Sequence, residues 1–179
     1  MIMDGLLLLD GSMSAGVLTP TTVNSGTTFV VGTQNSANVI DLSQLASSAK
    51  GYGRDIGVGD GLWIVCLIAT TFTGTGATLQ VNIQYAPDNG SGAPGAYATM
   101  VSSAVYTLSQ LTAGSEIMRI EVPPVSPSNL GMVPKFMQAT YTIGTANMTA
   151  GALYTAIVTD REALGPYMGY QSGYSNQYV

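Results

Sequence analysis

The stretch from Leu62 to Tyr85 constrains the fold more than any other part of the chain. Its second half alternates strictly: Leu79, Val81, Ile83 and Tyr85 fall on one side, Thr78, Gln80, Asn82 and Gln84 on the other. That is the period of a β-strand with one wet face. Its first half, Leu62 to Phe72, is apolar in both rows, as in a strand covered on both sides. The link Thr73-Gly74-Thr75-Gly76 has two glycines for a tight connection. The pattern predicts a β-hairpin at the centre of an antiparallel sheet. Only one row of the first strand can face a second sheet. The other, with Trp63, Val65 and Leu67, needs a cover supplied by a loop, an arm or another chain.

Further strands are expected at 27–32, 36–42, 96–100, 103–108, 116–122, 135–143 and 152–159. Pro123-Pro124 stops the 116–122 strand, because proline cannot donate to a ladder. With about eight short strands and no convincing helix, the chain reads as all-β: an antiparallel sandwich of jelly-roll type with extended arms at both ends. The expected divisions are an N-terminal arm over 1–26, the sandwich over 27–159 and a Tyr/Gly-rich C-terminal arm over 160–179. Leu6, Leu7, Leu8 and Leu9 are too greasy for a solvated terminus. Tyr167, Tyr170, Tyr174 and Tyr178 recur among Gly, Ser, Gln and Asn, and tyrosines suit interfaces. These eight residues, with Trp63, are the candidate partner interface.

Chemistry is scarce. None of the 179 residues is a histidine, which removes the commonest general base and metal ligand. The single cysteine, Cys66, can form neither an internal disulfide nor a thiolate zinc site; it reads as a small core hydrophobe in a reducing compartment. Asp55, Asp60, Asp88, Asp160 and Glu162 lie in turns or at strand ends, where carboxylates are solvated or cap turns. Gly57-Val58-Gly59-Asp60-Gly61 lacks the lysine and following helix of a phosphate loop. Asp88-Asn89-Gly90-Ser91-Gly92 lacks the acidic repeat and bidentate glutamate of an EF-hand. No enzyme activity, cofactor or metal is expected.

Charged residues make up 8% of the chain against roughly 25% in an ordinary soluble domain. The five cations, Lys50, Arg54, Arg119, Lys135 and Arg161, are scattered in a chain of net charge −5, so no nucleic-acid partner is expected. No stretch is apolar for long enough to span a membrane as a helix, and the N-terminus lacks the pattern of a signal peptide, which places synthesis and residence in the cytoplasm. A weakly charged surface does little to repel neighbours and suits close packing in an assembly.

Several stretches resemble a family of tailed-phage capsid cement proteins, also called decoration or stabilisation proteins. They are Val39 to Leu42, Arg54 to Leu62, Met137 to Ile143, Thr149 to Ala156 and the tail around Tyr167 to Tyr174. The resemblance implies a jelly-roll protein on the outside of a bacteriophage head. It would self-associate as a small homo-oligomer, a dimer or trimer, and tie major capsid proteins together. The alternative is a receptor- or glycan-binding β-sandwich on a phage tail.

Overall fold

In a computed structural model, the described residues are 8–14, 17–23, 28–42, 63–121 and 134–158. They form an all-β antiparallel sandwich, and their only helical element is a 3₁₀ turn at Leu108–Gln110. The described residues form thirteen strands. Leu8–Asp10 (β1), Ser12–Ser14 (β2), Val17–Thr19 (β3) and Thr21–Thr22 (β4) come from the N-terminal segment. Gly32–Asn35 (β5) and Ile40–Asp41 (β6) follow. The long strands are Trp63–Gly74 (β7), Thr78–Ala86 (β8), Phe136–Gly144 (β12) and Met148–Val158 (β13); Ala98–Ser102 (β9), Tyr106–Thr107 (β10) and Glu116–Glu121 (β11) lie between. Six of the thirteen have only two or three residues, which is why the sequence shows about eight.

The first sheet runs β1-β13-β7-β11, with β4 also on β13. The second runs β10-β8-β12-β5, with β9 also on β8 and β6 on β12. Between them lies one core. Ile64, Cys66, Ile68 and Phe72 of β7 and Leu153 and Ile157 of β13 face Leu79, Val81, Ile83 and Tyr85 of β8 and Met137, Ala139, Tyr141 and Ile143 of β12.

The expected central hairpin is corrected by this topology. β7 and β8 are consecutive but lie in different sheets, so their link is an arch over the edge of the sandwich. β12 and β13 repeat the arrangement, and the two arches nest: β7 pairs with β13 and β8 with β12. An arch lets both apolar rows face each other across the core, whereas a hairpin would set them side by side in one sheet. Glycine makes the nesting possible. A Cβ on Gly144 would sit 2.6 Å from Thr78 Oγ1, and one on Gly151, whose φ is +135°, would collide with the Phe72 ring.

Candidate interaction surface

The row Trp63, Val65 and Leu67 points outward from the first sheet, and its cover comes from the chain itself. β1 adds to the edge of β13, with Leu8 opposite Ala156 and Asp10 opposite Thr155. Gly11, at φ +104°, turns the chain away into the β2–β3 hairpin, and β4 returns to the same edge with Thr21 opposite Leu153. Residues 8–14 and 17–22 thus form a strap. Leu8 packs outside the sheet with Val65, Ala156 and Val158, while Met13, Leu18 and the half-buried Trp63 close over them. Leu9 points the other way and is wholly buried in the main core.

The strap is also tied to the second sheet's side of the sandwich. Asn38 N donates to Leu9 O at 3.0 Å and Asn38 Nδ2 to Gly11 O at 3.1 Å. Asp10 is 1% exposed, and its Oδ1 accepts from the Thr21 hydroxyl, from Gly11 N at 3.1 Å and from Ala37 N at 3.4 Å. A carboxylate this deep is tolerable only when its lone pairs are met. Nearby, the Tyr141 and Thr155 hydroxyls are 2.7 Å apart. Burial pushes the Cys66 thiol up to about 12, against a lowering hydrogen bond with Thr155. Burial also holds the Tyr141 phenol well above its usual range, with the charge of Asp10 adding to the effect.

Two expectations are corrected here. The segment before residue 27 is not wholly an arm outside the sandwich, since Leu8–Asp10 and Thr21–Thr22 join its first sheet. Leu8 and Leu9 are not laid out as a surface for a different protein, because this chain's own β7 and β13 bury them. Leu6, Leu7, Tyr167, Tyr170, Tyr174 and Tyr178 lie outside the described residues. Cys66 is the buried core residue its position suggests.

The outward face of the second sheet is different in kind. Thr78, Gln80, Asn82 and Gln84 on β8 meet Gly144, Thr142, Thr140 and Gln138 on β12 in register, and Thr33 and Asn35 of β5 extend the rows. The side chains bond within the plane: Gln138 Nε2 donates to Gln84 Oε1 at 2.9 Å, Asn82 Nδ2 to Thr142 Oγ1 at 3.2 Å and Gln84 Nε2 to Thr99 Oγ1 at 3.1 Å. This central ladder carries no charged side chain. Among the described residues, charge stands at its end, with Asp41 opposite Phe136 and Lys135 paired with Asp88 at 2.5 Å.

Asp88 caps its loop as expected, accepting from Gly90 N at 2.8 Å and Gly92 N at 2.9 Å. Lys135, then these N–H groups, hold its carboxyl below the usual range. Asp55, Asp60, Asp160 and Glu162 lie outside the described residues. Among the described residues, no three His, Cys, Asp or Glu side chains gather as a metal site, and no helix is long and apolar enough to cross a membrane.

The model of the Bbp16 family matches residues 25–158, three quarters of the chain. The chain belongs to the Bbp16 family. No curated protein matches it. The Bbp16 match takes in both sheets' long strands and stops at the end of β13, but it begins after the strap. Sequence reasoning missed the strap's role and the buried Asp10. The one available signal was that the apolar row of β7 needed a cover.

Proposed function

We propose that this chain is a structural, non-enzymatic cement protein of a tailed bacteriophage. On this reading it is a jelly-roll sandwich made in the host cytoplasm, and it sits on the outer surface of the virion's capsid as a homo-oligomer. Its partner is the major capsid protein, whose neighbouring copies it ties together, with no nucleic acid, membrane or cofactor involved. The observation that supports this reading best is the uncharged ladder on β8 and β12. Its partly exposed positions, Thr78, Gln80, Asn82 and Gln84 of β8 and Thr142 of β12, present no charge to desolvate when a neighbour packs against them, while Gln138 and Thr140 are themselves buried. A chain of net charge −5 also keeps its acids out of the middle of that face. Trp63, beside the strap, and the tail tyrosines Tyr167, Tyr170, Tyr174 and Tyr178 are the remaining contact residues in this proposal.

Purified protein added to capsid shells that lack it provides the test. Saturable binding, with a gain in the shells' heat resistance, is the expected result. Shells that neither bind the protein nor gain resistance would refute the proposal.

A further inference from the structure

Residues 8–22 lie outside the Bbp16 match, yet they fill a site built entirely by residues within it. The site has an edge, where β13 accepts β1 and β4. It has an outer apolar floor of Val65, Ala156 and Val158, and a deep slot for Leu9. It also has a polar latch, where Ala37 and Asn38 bond Asp10, Leu9 and Gly11. We propose that this is a strand-acceptor site that takes residues 8–22 of a second copy of the chain, so that two chains exchange straps.

The occupant is fixed by complementarity already present. Every contact the strap makes within one chain is made equally well by the same strap from a second chain, so exchange changes only the connection. That connection carries strain. Phe29 has φ 56°, the left-handed region, which a residue with a Cβ avoids. Its ring cannot leave: it is buried, with its centroid 5.2 Å from that of Phe72 and 5.6 Å from that of Tyr141. Rotation about φ of Phe29 leaves that ring and everything after it in place and swings everything before it. A return to ordinary negative φ relieves this strain and redirects the chain that precedes Phe29. Among the described residues of the connection, three bonds oppose this redirection within one chain: Phe29 N to Gln34 Oε1 at 2.5 Å, the exposed bond from Thr28 Oγ1 to Thr22 O at 3.0 Å, and Val23 N to Gly151 O at 2.9 Å. A short strained hinge beside a detachable edge strand is the arrangement that favours exchange. The inference stands apart from the capsid reading: a chain that exchanges straps but ignores capsid shells refutes only that reading.

The test is a choice of disulfide partners in the full chain. Leu8 and Ala156 are opposite one another, so Leu8→Cys with Ala156→Cys, folded and then oxidised, reports which chain supplies the strap. The expected product is a covalent dimer, doubled in mass on a non-reducing gel and restored to monomer by reductant. An internal bond within one chain, or no bond in a folded protein, overturns the proposal. Thr22→Cys with Ala152→Cys, at the strap's other end, asks the same question should the first pair fail to fold. Sedimentation of the unmodified chain adds one decisive outcome: a monomer at every concentration overturns exchange.

Discussion

The outward faces of the two sheets arise from the same two-residue period and meet opposite ends. On β7 the outward row is Trp63, Val65 and Leu67, and the chain spends a strand, a hairpin and a returning strand on covering it. On β8 and β12 the outward rows are Thr, Asn and Gln, and their side chains satisfy one another in the plane. A strand's outward row therefore decides whether its sheet acquires another layer. A substitution that inverts the chemistry of one row should be ruinous on the first face and nearly silent at the partly exposed positions of the second, such as Thr142.

The largest effect is expected for Val65→Asp. Val65 is 1% exposed under the strap, so the new carboxylate has neither water nor a partner. The cost is about 3–5 kcal/mol, as for other unpaired buried charges. Denaturant unfolding measures it. A loss below about 1 kcal/mol would mean that water already reaches this face and that the strap is not a true cover.

Much of this was legible. The inward rows Leu79 to Tyr85 and Met137 to Ile143 declare themselves by alternation, and both face the core. The need for a cover over Val65 follows from β7 being apolar on both sides. Alternation does not reveal which sheet a strand joins, because an arch and a hairpin both need only a short glycine-bearing link. The difference lies in long-range pairing, β7 with β13 and β8 with β12, which no local pattern encodes. Nothing local marks Asp10, a single acid after Leu6–Leu9, as buried. Its burial depends on donors at Thr21 and Ala37, which only the folded chain brings to it.

A second expectation concerns acids, which the core behind the strap contains and the ladder lacks. Cys66 and Tyr141 are both held above their ordinary values, Cys66 at about 12. A raised folded value means that the unfolded chain loses its proton first. Below pH about 8 both states keep these protons, and Cys66 and Tyr141 contribute no slope to stability. Between about 9 and 12 unfolding releases a proton from Cys66, and stability falls by about 1.4 kcal/mol per pH unit, more steeply once Tyr141 also counts. Cys66→Ser should remove the first part of that slope. A wild-type profile flat to pH 11 would show that water reaches the thiol.

The smallest expected effect is on the bare face and carries the sharpest contrast. Thr142→Lys adds a cation to the middle of the ladder. Thr142 is partly exposed and opposite Gln80 and Thr33, so the long side chain can lie along the sheet and leave its ammonium in water. It loses weak bonds with Asn82 and Thr33, and unfolding should shift by no more than about 0.5 kcal/mol. Binding behaves differently, because a neighbour packed flat on this face must strip water from the ammonium without supplying a partner, at a cost of several kcal/mol. The variant should therefore fold like the parent and fail to bind shells. If it binds as well as the parent, the ladder is simply a wetted surface, and the contact belongs on the strapped side, beside Trp63.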